Sequence, residues 1–218
     1  MLWVFDVNET MLDLSPIDGV FARHTRAAGL RTAWFDLLIR AALATTAAGE
    51  YRDFARLGAQ CARTIGKRQG TPLDDEAITD LGAAMRVLPA HPDTLPALTA
   101  LRERGHRTVA LANSPQAVVD VQLRHAGLAS VLDAVYSVER AGMLKPAPAT
   151  YRMALHEEGV GADEAVMVAA HDWDIAGAQA AGMRTVFVDR GGRLPLPGWP
   201  VPDRIARDLI EATATDLP

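Results

Sequence analysis

At 218 residues, 49% hydrophobic and 22% charged, the chain is long enough for one large core, or for one core plus a smaller insertion. A net charge of −5 argues against a general nucleic-acid surface, and the first apolar run is far too short for a signal peptide or membrane span. Cys61 is the lone cysteine, so no internal disulfide forms and a reducing cytoplasm is expected, with Cys61 a small buried hydrophobe on a helix.

The chain opens on Leu2-Trp3-Val4-Phe5, an apolar run ending in Asp6, with Asn8 and Thr10 in the turn that follows. Such a run reads as a buried parallel strand delivering a carboxylate to its C-terminal edge, where ligands bind in open α/β sheets. From Ser15 to about Pro89 the periodicity turns helical. Helices are expected over Ile17–Ala28, Thr32–Ala47, Tyr51–Gly66 and Asp74–Leu88, with Asp74 as an N-cap and breaks at Gly29, Gly49 and Gly70.

Strand–helix alternation then resumes. The expected order is helix Thr94–Arg104, a strand ending at Asn113, helix Gln116–Ala126, strand Ala134–Val138 and helix Ala149–Glu158. Strand Ala165–Ala170, helix Ile175–Ala181, strand Thr185–Asp189, a Pro/Gly-rich loop and a final helix near Arg204–Ala212 complete it. This pattern predicts an α/β fold, a doubly wound parallel sheet with an inserted all-helical cap. Residues 1–14 and 90–218 would form the α/β core and 15–89 the cap.

Each strand end carries a reactive group. The first offers Asp6, Asn8 and Thr10; the second Asn113 and Ser114; the third is followed by Lys145; the fourth by His171, Asp172 and Asp174. Lys67 and Lys145 are the only lysines, the other basic residues being arginine, so a lysine in "LKP" after a strand is not there by abundance. Ser114 and Asp174 also suit helix N-caps, a role compatible with chemistry.

With these motifs, and with the runs NSPQAVVDVQLRHAGL, LKPAPATY and WDIAGAQAAGM, the chain resembles the haloacid dehalogenase superfamily over essentially its whole length. Within it, the chain is most similar to type II enzymes, which act on 2-haloalkanoic acids without metal. The resemblance implies a Rossmann-like core, a cap, no cofactor, no membrane or nucleic-acid partner, a small-molecule substrate and a homodimer. It implies Asp6 as nucleophile, Lys145 and Thr10 around it, and Asp174 acting on the hydrolytic water, a step for which the imidazole of His171 is the other candidate base by its own chemistry. Asn8, Asn113, Ser114, Tyr151 and Trp173 match substrate- and halide-facing positions. Phosphatases of the superfamily carry an acid two residues after the nucleophile and bind Mg²⁺ through acids at the fourth strand end. Here those positions hold Asn8 and Ala170. Halide leaves as a weak base and needs no protonating acid, whereas a phosphoryl group needs positive compensation.

Three positions depart from the type II pattern. Ala112 stands where a hydroxyl residue is usual, His171 where an amide is usual, and Phe35 where the cap carries an arginine. Arg31 and Arg40, about one turn to either side on the same helix, are the candidates to replace it. Two other functions fit the sequence: a phosphohydrolase or other hydrolase with a degenerate metal site, and a non-catalytic small-molecule binder.

Overall fold

The computed structural model describes residues 1–217 except 26, 28, 192–194 and 196. Six parallel strands form one sheet in the order β3-β2-β1-β4-β5-β6. They are β1 (Leu2–Phe5), β2 (Arg107–Ala112), β3 (Ala134–Ser137), β4 (Ala165–Ala169), β5 (Arg184–Val188) and β6 (Arg204–Ala206). Every residue of β1 and β4 is buried, which is why both read as unbroken apolar runs. From β1 the chain builds outward through β2 and β3, then crosses to β4 on the other side of β1. The reversal of strand order therefore falls beside β1, and a crevice opens outside the strand ends there.

Four helices lie between β1 and the first core helix: α1 (Ile17–His24), α2 (Leu30–Ala47), α3 (Phe54–Arg68) and α4 (Asp75–Arg86). Phe21 of α1 packs on Trp34 of α2, which neighbours Phe35, and the Trp34 indole N–H donates to the Gly58 carbonyl of α3 at 2.8 Å. Asp74 caps α4, accepting from the Ala77 amide at 2.9 Å, as the sequence predicts. Helix α3 starts three residues later than the expected Tyr51, because Asp53 caps it through the Arg56 amide at 2.8 Å. The expected helix to Ala28 ends at His24, and Ala28 itself lies outside the described residues. Cys61 is buried in α3. No helix among the described residues is long and apolar enough to cross a membrane.

The remaining helices are α5 (Thr94–Glu103), α6 (Gln116–His125), α7 (Pro148–Glu158), α8 (Asp172–Ala180) and α9 (Leu209–Thr213). Helix α8 begins three residues before the expected Ile175, drawing Asp172, Trp173 and Asp174 into its first turn. The single final helix expected near Arg204–Ala212 is incorrect. Arg204–Ala206 pairs in parallel with β5, and α9 starts only at Leu209, capped by Asp208. Ile205, Leu209 and Ala212 recur at helical spacing, so a three-residue edge strand with Ile205 exposed was absorbed into that period.

Candidate active site

The β1–β4 ladder continues one residue past the strand, since the Asp6 amide donates to the Val168 carbonyl at 3.0 Å. That bond fixes the Asp6 backbone at the sheet edge with its side chain in the crevice. One carboxylate oxygen, Oδ1, accepts from Lys145 Nζ at 3.0 Å; the other, Oδ2, accepts from the Thr10 hydroxyl at 2.7 Å. His171 Nδ1 lies 3.3 Å from the same Oδ2. Thr10 is held in turn by the Ala170 amide, which donates to its oxygen at 3.0 Å. Strand ends one and four and the loop after β3 thus converge on one carboxylate.

Lys145 is fully buried and bridges two acids, with Nζ 2.9 Å from Asp174 Oδ2. The other Asp174 oxygen accepts from the Tyr151 hydroxyl. Tyr151 is therefore drawn to Asp174, and both Asp174 oxygens are taken by donors. Burial opposes charge on all these groups, but the ion pairs decide the outcome at two of them. Lys145, then His171 and Thr10, hold the Asp6 pKa well below the usual carboxylate range, while Asp174 and Asp6 raise that of Lys145. Burial raises Asp174, and burial with Asp174 beside it keeps the Tyr151 phenol protonated as a donor.

This packing depends on one glycine. A Cβ on Gly177 would fall 2.6 Å from both the Pro146 Cβ and the Tyr151 hydroxyl oxygen. Only glycine lets α8 approach the loop that carries Lys145 so closely.

His171, at the N-cap position of α8, is buried with its ring between Trp173 (centroids 5.0 Å apart, stacked) and Phe35 (5.7 Å). Its Nε2 lies 3.1 Å from Glu9 Oε2. Burial alone disfavours the imidazolium, but the hydrogen bonds to Asp6 and Glu9 outweigh it and hold the pKa up at about 9. In this arrangement His171 is cationic at neutral pH, so it is not a base while Asp6 is ionised.

A narrow pocket is bordered by Asp6, Asn8, Asn113, His171 and Trp173, and by Phe35 and Phe54 from the helical layer. Its cavity volume of about 10 Å³ is room for about one water, far below the size of ligand sites, so the surrounding side chains must shift to admit a larger molecule. Asn8 lines it, with its amide donating to Ser114 Oγ and accepting from Gln122, each at 3.3 Å. Asn113 Oδ1 accepts from the Lys145 amide at 2.9 Å and so ties down that loop. The two arginines lie apart from this pocket. Arg31 pairs with Asp18 at 2.9 Å and Glu9 at 3.5 Å, whereas Arg40 is exposed at an outer space that also reaches His171 and Trp173.

Glu9 and Gln122 were missed at the sequence level. Glu9 sits in a turn that reads as polar punctuation, yet it is buried and adopts φ +62°. Gln122 is fully buried three positions after the buried Val119, and a polar residue on the apolar face of a helix is the signal that finds it.

The superfamily's phosphatases imply a divalent cation, and the residues here do not fit one. Ala169 and Ala170 offer no carboxylate, the Asn8 amide is committed to Ser114 and Gln122, and an ammonium already joins Asp6 to Asp174. Among the described residues no group of three or more His, Cys, Asp or Glu side chains is arranged to hold a metal ion.

A family model described as haloacid dehalogenase-like hydrolase matches residues 2–182. Among known proteins, (S)-2-haloacid dehalogenase 1 of Pseudomonas sp. strain CBS-3 is 29% identical over 196 residues, covering 86% of this chain and 83% of its own. Phosphoglycolate phosphatase of Rhodospirillum rubrum is 30% identical over 189 residues, covering 85% and 71%. A crystal structure of an L-2-haloacid dehalogenase superposes with a TM-score of 0.91 at 26% identity, covering 98% of this chain and 96% of that one.

Proposed function

The chain belongs to the haloacid dehalogenase-like hydrolases, and on that footing we propose that it hydrolyses the carbon–halogen bond of short 2-haloalkanoic acids. Asp6 attacks the substrate Cα, expels halide with inversion and becomes an aspartyl ester, which water hydrolyses at the aspartyl carbonyl. Lys145 keeps Asp6 ionised and aims it, Asp174 and Tyr151 brace Lys145, and Thr10 fixes the second oxygen. Trp173, Phe35 and Asn113 form the halide and alkyl walls of the pocket. We assign residues 15–89 to a cap and 1–14 with 90–218 to the catalytic core.

The observation that carries this reading is the ammonium of Lys145 lodged between Asp6 and Asp174, next to an amide at position 8. The nucleophile is charged and oriented by the protein alone, and the place of a leaving-group acid is held by a group that cannot donate as one. Attack at carbon with halide departure requires nothing more; phosphoryl transfer does. A phosphohydrolase is the second reading, favoured by the similarity to a phosphoglycolate phosphatase.

Halide release from 2-fluoro-, 2-chloro- and 2-bromopropionate, with and without chelator, separates the two. Wild type is expected to release halide whether or not chelator is present, and Asp6→Asn to fall by at least about a thousandfold. Release of phosphate from an aryl phosphate that chelator abolishes, with no halide from any haloacid, would replace this reading by the second.

A further inference from the structure

One buried acid has no part in the mechanism above. Glu9 accepts from His171 on the side of the ring opposite Asp6, and it holds a left-handed backbone conformation, φ +62°, that disfavours a residue with a Cβ. Glu9 also borders a separate polar space of about 400 Å³, together with Asp13, Arg31, His91 and Arg190, away from the pocket that holds Asp6. The ring of His171 therefore stands between two acids, one facing the substrate pocket and one facing a second cleft.

We propose that alkylation of Asp6 itself converts His171 from the ion partner of that carboxylate into the base for the hydrolytic water, with Glu9 as the positioning residue that orients the ring. This rests on the reading that Asp6 is alkylated. In the free enzyme both ring nitrogens carry protons, one directed at each acid. When Asp6 displaces halide, its charge is replaced by a neutral ester. The Nδ1 proton then faces no anion and passes to solvent, while Nε2–H stays on Glu9. The Nδ1 lone pair is left beside the ester.

Water adds to Asp6 Cγ as Nδ1 takes one of its protons. The acyl C–O bond breaks with its electron pair on the alkoxide, which receives the other proton. The products are hydroxy acid, Asp6 carboxylate and imidazolium, so each turnover consumes one water and releases one halide and one proton. Asp174 is less suited to this step, because both of its oxygens accept from Lys145 and Tyr151. The charged groups around the ring are Asp6 and Glu9 in contact, Lys145 and Asp174 behind Asp6, Arg31 behind Glu9, and Asp36, Arg40 and Asp172 at the outer space. The rings packed on it, Phe35 and Trp173, are uncharged.

Rapid-quench turnover of 2-bromopropionate, reading bromide and the intact protein mass, tests this on wild type, H171N, E9Q and E9G. The three variants are expected to release about one bromide per site in a burst and then accumulate the alkylated protein. Their steady rate falls by at least about a hundredfold for H171N and about tenfold for the Glu9 variants. In E9Q the pH at half-maximal ester hydrolysis shifts down by about one unit, because a carboxylate beside the ring is gone. E9G relieves the φ +62° strain, so it keeps the fold if H171N does not. Loss of the burst in step with turnover and no ester in the Glu9 variants, or undiminished ester hydrolysis in them, overturns the proposal. A wild type that releases no halide from any 2-haloacid overturns the dehalogenase reading instead.

Discussion

The sheet edge and the helical layer meet at the same small pocket, yet they treat charge in opposite ways. On the sheet side, Asp6, Lys145, Asp174 and His171 are all buried, and every one is held by a charged partner from another segment. On the helical side, the faces turned to the pocket are Phe35, Ile39 and Phe54, while the arginines of α2 pair elsewhere or face solvent. The sheet thus supplies the electrostatics and the helices supply an apolar wall. Phe35 in place of an arginine is then consistent with the rest of the site, because a cation already borders the pocket from the sheet side, at His171.

Removing the cation at the centre of the sheet edge should have the largest effect on stability. K145A strands two buried carboxylates, and breaking a buried pair in this way costs about 3–5 kcal/mol. Chemical denaturation should show that loss, with halide release reduced by at least about a hundredfold; a variant as stable as wild type would mean that the charges are better hydrated than their burial implies. G177A comes next. Its Cβ drives into Pro146 and Tyr151, so a loss of about 1–3 kcal/mol and a lower kcat are expected from denaturation and steady-state kinetics. Unchanged kcat would show that the Lys145 loop yields without cost.

A smaller effect should appear with pH. His171 has a folded pKa of about 9, above the ordinary 6.5, so its contribution to stability is complete below about pH 6.5 and is lost as pH rises through 9. Melting temperatures of wild type should therefore fall between pH 7 and 10 by roughly 3–6 °C more than those of H171N. Parallel curves would place the ring outside the ion network. The smallest effect is expected on the helical side: R40A should change KM by less than about threefold, since an exposed arginine contributes little. A large rise in KM would return the substrate's anion anchor to the helices and undo the contrast.

Much of the fold was legible because parallel strands buried on both faces leave unbroken apolar runs, as in β1 and β4. Asp6 and Asp174 were legible for the same reason, each following such a strand, and Lys145 because lysine is otherwise almost absent from the chain. What was not legible depended on contacts distant in sequence or on backbone angles. Nothing in Asn8-Glu9-Thr10 announces a left-handed residue whose acid reaches His171, 162 positions away. The edge strand β6 is three residues long and pairs on one side only, too little to override a helical spacing. Arg31 was a substrate candidate by its place on α2, but Asp18 and Glu9 claim it.

The buried amide of Gln122 donates to Asn8 Oδ1 at 3.3 Å and to the Met85 carbonyl in α4 at 2.7 Å. Thr46 in α2 likewise donates to the Leu144 carbonyl, one residue before Lys145. These bonds act as tethers between the two layers. Parting the layers breaks the Met85 and Thr46 bonds, which contribute about 0.5–1.5 kcal/mol each once water replaces them. A molecule that enters the pocket by parting the layers therefore has to break both bonds first, so the two side chains that tie the fold together here also guard its entrance.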